Sequence, residues 1–249
     1  RLAECDLDVA EDLGEAERQS WLIFEDGCGV AARVAERLSA AGHRVTRVTP
    51  GDTYARLSND AYLLPPEQGR AGYDALIRDL EEAGRSPTRI GHFWLVTDRE
   101  QFRPGSSFYD RNLEQGFYSL MALGQALANR EGDAPVQITV VTTGAVQVRD
   151  EALPYPEKAL ISGPAGAIPH EMPGLTVATL DIELPEAPKR GWLGRGAPAP
   201  ADALTLPLLE ELLAEPGNTV AALRDGKRYG RSYRPVALQD GDSPWRQGG

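Results

Sequence analysis

The sequence predicts an α/β fold: a doubly wound, mostly parallel sheet with helices on both faces and a β-hairpin near the C-terminus. Three observations carry this reading. Residues 21–38, WLIFEDGCGVAARVAERL, open on an apolar run, turn through Glu25-Asp26-Gly27-Cys28-Gly29, and continue with Val30, Val34 and Leu38 on one helical face. That is a buried strand, a glycine turn and an amphipathic helix. Two further apolar runs, residues 89–97 and 136–148, are separated by a helix-period segment, the pattern of right-handed parallel crossovers. Near the end, Arg224-Asp225-Gly226-Lys227 stands between two strand-like runs, and Asp-Gly there signals a hairpin.

The elements follow in order. Residues 1–20 are acidic and weakly patterned, an incoming linker that can hold one edge strand near Cys5 to Val9. After the first βα unit, Gly42-His43 stops the helix and residues 44–48 form a strand. His43 reads as a helix-end surface residue. Residues 53–57 and 61–64 read as short edge strands around Ser58-Asn59-Asp60. Tyr73, Leu76, Ile77 and Leu80 mark a helix closed by Gly84. The strand at 89–97 carries His92 at its middle, expected as a packed, hydrogen-bonded core residue. A long helix is expected over 107–130, and 136–148 is the most strand-like segment. A helix over 157–168 is expected to break at Pro169-His170-Glu171-Met172-Pro173, and a strand follows over 175–184. Residues 185–200, rich in Pro and Gly, read as an exposed loop. An amphipathic helix over 203–213 has Leu206, Leu209, Leu212 and Leu213 on its apolar side. Strands at 218–223 and 229–238 form the hairpin. Residues 21–238 thus read as one subdomain, and 239–249 as a flexible linker to a following domain.

Composition narrows the function classes. A net charge of −11 over 249 residues argues against nucleic acid and against an anionic membrane as partners. The two cysteines, Cys5 and Cys28, form no CxxC and have no His beside them, which argues against a disulfide framework and a metal site and fits a reducing, cytoplasmic setting. No apolar run approaches the ~20 residues needed to cross a bilayer.

The candidate chemistry is thin. Gly27-x-Gly29-x-x-Ala32 matches the loose form of a dinucleotide fingerprint, in which the turn would hold a pyrophosphate at the helix N-terminus. Glu25 and Asp26, however, put carboxylates where that phosphate would sit. The only acid near the ribose position, Asp52, lies beyond Pro50-Gly51. The turn therefore reads as structural, with no cofactor-binding residue. A short-chain reductase needs a Tyr to protonate the carbonyl oxygen, a Lys one helical turn later and a preceding Ser. Here Tyr155-Pro156-Glu157-Lys158 has the wrong spacing with a proline inside it, and Ser162 follows the Tyr. No catalytic residue and no metal ligand is assigned.

The series WLIF–G–AARVAERLSAAGHRV, RIGHFWLVT, GFYSLMALGQAL, ITVVTTGAVQV, KALISGPAGAIPHEMPGL and LDIEL resembles the structural, N-terminal half of a modular type I polyketide synthase ketoreductase domain. The most specific pieces are Gly116-Phe117-Tyr118-Ser119-Leu120 and Gly163-Pro164-x4-Pro169-x-Glu171-x-Pro173. The resemblance implies a truncated Rossmann-like fold of the short-chain dehydrogenase/reductase kind that binds no cofactor itself. A following half would hold NADPH and the Ser/Tyr catalytic pair and reduce β-ketoacyl groups on an acyl carrier protein. Two alternatives stay open: an orphan pseudo-ketoreductase acting as an interaction or scaffold module beside a methyltransferase or dehydratase, and a self-sufficient NADPH-dependent reductase.

The helix over 107–130 bears on the partner. Residues 115–129, QGFYSLMALGQALAN, carry no charge. Leu113, Phe117, Leu120, Gly124 and Leu127 form the stripe expected to face the chain's own sheet. Gln115, Tyr118, Ser119, Ala122 and Ala126 lie opposite, and the resemblance, in which the two halves pack as a pseudo-dimer, implies that these contact the catalytic half, neighbouring synthase domains or a second copy of this chain.

Overall fold

The computed structural model describes residues 18–99, 107–184, 200–233 and 235, and of residues 200–203 only their backbone. The expectations for residues 1–17, 185–199 and 236–249 lie outside them.

The fold-building unit expected from residues 21–38 is present. Strand β1 (Ser20–Phe24) buries Trp21 to Phe24, and helix α1 (Val30–Ala40) buries Val30, Ala31, Val34, Ala35 and Leu38. The chain continues through β2 (Arg44–Pro50), β3 (Ala55–Arg56), β4 (Ala61–Leu64), α2 (Ala71–Glu82) and β5 (Arg89–Leu95). Next come α3 (Phe108–Asn112), a π-helical turn (Leu113–Tyr118), α4 (Ser119–Ala128) and β6 (Val136–Thr143). A 3₁₀ turn (Pro156–Ile161) leads into α5 (Ser162–Glu171), followed by β7 (Leu175–Ile182), α6 (Pro200–Leu213), β8 (Val220–Arg224) and β9 (Lys227–Gly230).

These strands form one nine-stranded sheet in the order β3-β4-β2-β1-β5-β6-β7-β8-β9. Pairing is parallel from β4 to β8 and antiparallel at both ends, β3 with β4 and β8 with β9. The hairpin turn takes Asp225 (φ 50°) and Gly226 (φ 68°) into the left-handed region, the backbone that Asp-Gly favours. The central strands β5 and β6 are buried at every position, as strands covered on both faces must be.

Two cores flank the sheet. On one face α1 and α6 bury Val34, Leu38, Phe93, Val141, Leu208, Leu209 and Leu212. On the other α2, α4 and α5 bury Leu76, Leu80, Trp94, Leu120, Leu123, Ile138 and Ile168. Helices α4 and α5 approach closely at Gly124, where a Cβ would stand 2.9 Å from Ile168 Cδ1.

Four local expectations are corrected. His43 is buried (6% exposed): its Nδ1 accepts the Gln19 N–H at 3.2 Å and its ring sits edge-on to Trp21. A residue at a helix stop still lands inside when the chain leading into the neighbouring strand passes over it. Pro169 does not end its helix but lies within α5, which runs on to Glu171. In α6 Leu209 and Leu212 are buried as expected, together with Thr205 and Leu208, while Leu206 is exposed and Leu213 half-buried, so the buried face is centred on Leu208 and not on Leu206. The helix over 107–130 is not a single α-helix but α3, a π turn and α4, and α4 is buried on both the expected inner and the expected outer side.

Candidate functional site

Function in open α/β sheets gathers at the C-terminal ends of the parallel strands. In this chain that edge is filled by its own charged groups.

The turn after β1 is the first case. Gly29 adopts φ 83°, letting α1 begin sharply. Asp26 folds back over the exposed N-terminus of that helix. Its Oδ2 accepts the backbone N–H of Cys28 at 2.7 Å and of Val30 at 3.1 Å, and its Oδ1 that of Ala31 at 2.7 Å. These are the donors that would cradle a phosphate. Glu25 points away and pairs with Arg47 of β2. The carboxylate expected to repel a phosphate is thus also the acceptor for three N–H groups of that helix end. Beside the turn lies a cavity of about 200 Å³ lined by Glu25, Asp26, Thr49, Pro50, Trp94 and Phe108 among others. That is small against the ~300–1,000 Å³ of ordinary ligand pockets. The Cys28 thiol is pushed up to about 11 by burial and by Asp26, so it is not a poised nucleophile.

The second case is Lys158. It is 1% exposed. Its Nζ donates to Leu95 O (2.9 Å), Thr97 Oγ1 (2.7 Å), Thr143 O (2.9 Å) and Thr143 Oγ1 (3.1 Å), tying together the ends of β5 and β6. Burial pulls its pKa down to about 8. The same ammonium lies 4.5 Å from the centroid of the Tyr155 ring, on its face. Ser162 Oγ donates to Ala159 O on the outer surface. Lys158 thus meets the face of the Tyr155 ring, while Ser162 bonds the backbone of its own turn. The 3₁₀ turn and its proline send Lys158 inward to the strand ends.

A third polar cluster was not legible as a site. Asp181 of β7, fully buried, accepts from Thr142 Oγ1 (2.6 Å), Ala145 N (2.9 Å) and Arg224 (2.6 Å). Arg224, ending β8, also grips Glu151 through Nε and an NH2 group, and donates to Val146 O at 2.9 Å. The hydrogen bonds from Arg224 hold the Glu151 carboxyl below its usual range. This network pins the 144–151 loop to the sheet. The one available signal was a lone acid inside an otherwise apolar strand, LTVATLDIEL, because a carboxylate buried there needs a partner.

His92 is fully buried, as expected. Its Nε2 meets Ser119 Oγ at 2.8 Å, its ring stacks on Phe24 with centroids 4.9 Å apart, and burial lowers its pKa to about 3.

The expected contact face of the 107–130 helix is corrected. Ser119 (0% exposed), Ala122 (5%) and Ala126 (3%) are buried inside the chain. Leu120, Gly124 and Leu127 of the expected inner stripe are buried too, so after the π turn (Leu113–Tyr118) the helix is covered on more than one side. Helix α4 is also flanked by α2 and α5, which leaves only a narrow outer strip. Gln115 is half-buried beside the small cavity, and Tyr118 alone of the five is exposed, with Met121 one turn further along. Leu113 and Phe117, assigned to the inner stripe, are half-buried.

This architecture is a truncated Rossmann-like fold of the short-chain dehydrogenase/reductase kind. It matches a short-chain dehydrogenase from Mycobacterium avium with TM-score 0.57 and 13% identity over 90% of each chain. It also matches an N-terminal ketoreductase from a macrolactin assembly line (TM-score 0.59, 16% identity, 90% of this chain and 42% of that one). A multidomain structure of a keto acid-selecting NRPS module, comprising adenylation, ketoreductase and pseudo Asub parts, matches with TM-score 0.68 and 24% identity over 92% of this chain and 17% of that one. The chain thus spans less than half of either assembly-line structure. No curated protein matched. The family model described as beta-ketoacyl synthase-like, N-terminal, matches residues 20–191, and the chain belongs to that family. Among the described residues no helix is long and apolar enough to cross a membrane, and no cluster of His, Cys, Asp and Glu could hold a metal ion.

Proposed function

We propose that this chain is the non-catalytic structural half of an assembly-line ketoreductase. It supports and positions an NADPH-dependent catalytic half that reduces β-ketoacyl groups carried on an acyl carrier protein. One observation carries the reading: Asp26 occupies the hydrogen-bond donors at the α1 N-terminus that a cofactor phosphate would need. The disposition of Tyr155 and Lys158 supports it, since the lysine is committed to four strand-end contacts rather than to a phenol. The family's β-ketoacyl description and the likeness to ketoreductase structures support the setting. In this reading the outer strip of α4, with Tyr118 and Met121, faces the catalytic half.

The test is reconstitution. The catalytic half is expressed alone and together with this chain, and NADPH oxidation is followed on a β-ketoacyl thioester. The chain alone is expected to be inactive, and to raise the activity or the stability of its partner. Equal behaviour of the partner with and without it would refute the supporting role. A second reading, an orphan pseudo-ketoreductase serving as a scaffold, is favoured by the match to an NRPS module that combines a ketoreductase with a pseudo Asub. Co-purification with a neighbouring domain and not with a reductase half would support it.

A further inference from the structure

Past α5 the sheet changes character. Helices α2, α4 and α5 cover one face from β4 across to β6 and part of β7, and beyond that lies a groove of about 620 Å³. Its floor is apolar: Ile161 and Ala165 from the helix side, Val177 of β7, and Val220 and Ala222 of β8. Its rim is cationic. Arg149 reaches in from the loop after β6 and Arg231 from the end of β9, and both are exposed.

The wall carrying Arg149 is held by the chain itself. Arg224 binds Val146 O and Glu151, and Glu151 in turn accepts the Val148 N–H at 2.8 Å. Arg149 sits at φ 61°, a backbone seldom taken by a residue with a side chain, and its guanidinium lies 5.2 Å over the Tyr229 ring while bonding the Tyr229 hydroxyl. Asp181, the carboxylate at the back of the groove, shares the Arg224 guanidinium with Glu151, so that cluster keeps one negative charge. Among the described residues neither Arg149 nor Arg231 has a carboxylate partner within ion-pair distance. Arg149, Arg224 and Arg231 against Asp181 and Glu151 leave the groove one excess positive charge, in a chain whose net charge is −11. A preformed concavity within the ~300–1,000 Å³ range, apolar within and carrying a few fixed polar groups, is the usual form of a small-molecule site. Guanidinium groups at its mouth suit a carboxylate or another oxyanion.

We infer that this groove binds an amphipathic anion, a molecule with an oxyanion head held by Arg149 and Arg231 and an acyl-like apolar chain laid over Val177, Val220 and Ala222. The inference does not depend on the proposed supporting role, because the groove is built wholly from this chain.

The probe is octanoate, titrated into the full chain by calorimetry and by amide chemical shifts, with octylammonium as the charge-inverted control. Octanoate is expected to bind saturably and octylammonium at least tenfold more weakly. Arg231→Glu and Arg149→Glu, both at exposed positions, should each weaken octanoate at least tenfold with the melting temperature unchanged. Ala222→Trp, which fills the floor, should abolish binding. Absence of saturable binding, equal binding of the two probes, or arginine variants that bind like the wild type would overturn the inference. Variants that lose octanoate but still support a catalytic half would separate this site from the proposed function.

Discussion

The Asp26 turn and the Lys158 pocket lie on the same edge of the same sheet, and each places a charge of this chain where a reductase would use a ligand's or a substrate's. They differ in depth. Asp26 sits at a part-exposed helix end and meets three N–H groups. Lys158 is sealed behind two strand ends, and burial opposes its charge. The carboxylate is a cap on a helix end. The ammonium is a structural tie whose removal strands the oxygens it serves. One edge thus uses its charges in two ways, one expected to carry little stability and one expected to carry much of it.

The largest expected effect sharpens that contrast. Lys158→Met removes the Nζ donor from Leu95 O, Thr97 Oγ1 and Thr143 O, of which Leu95 O keeps only a long bond from Thr143 Oγ1, and should cost on the order of 3 kcal/mol at neutral pH in denaturant unfolding, since buried unsatisfied acceptors cost about 1–3 kcal/mol each. A loss under about 1 kcal/mol would show that the tie is ornamental.

Titration of the buried groups comes next. His92 has its folded pKa lowered to about 3 from 6.5, so its contribution is complete above pH 6.5 and is lost as pH falls toward 3, by about 1.4 kcal/mol per unit. Lys158, lowered to about 8 from 10.5, has the same sign in a higher window: stability relative to Lys158→Met should rise as pH goes from 8 to 10.5. Thermal unfolding across pH 3–11 reads both, and His92→Leu paired with Ser119→Ala should flatten the acid limb alone.

Asp26→Ala should cost less, about 1–2 kcal/mol, the usual worth of a helix N-terminal cap. If it proved as costly as Lys158→Met, the contrast between cap and tie would fail. Smallest is Tyr118→Glu on the exposed strip of α4: a change within about 0.5 kcal/mol in the isolated chain, with weakened assembly onto a catalytic half. Ala122→Glu behaves oppositely, since it buries a carboxylate in the core and unfolds the chain.

The strength of the sequence signals follows the same physics. The β1 turn, the buried strands at β5 and β6, the edge pair β3–β4 and the Asp-Gly hairpin were legible because each rests on a local rule: an apolar run, alternation, or a turn that two residues specify. The acidic turn was legible as a site unsuited to phosphate, though not as a cap, since its hydrogen bonds depend on how Gly29 aims the helix. The buried role of Lys158 was not legible, because its partners come from residues 95, 97 and 143, distant in sequence. The inner stripe of α4 was read correctly at Leu120, Gly124 and Leu127, but Ser119, Ala122 and Ala126 are buried as well, because α2 and α5 pack on its flanks and no local pattern showed them there.

The most direct measurement is an NADPH titration of the purified chain, by calorimetry and by nicotinamide fluorescence, in parallel with Asp26→Ala. With the donors of the α1 N-terminus already taken, the wild-type chain is expected to give no saturable signal while folded. Saturable binding by the wild type in the low micromolar range would contradict the account.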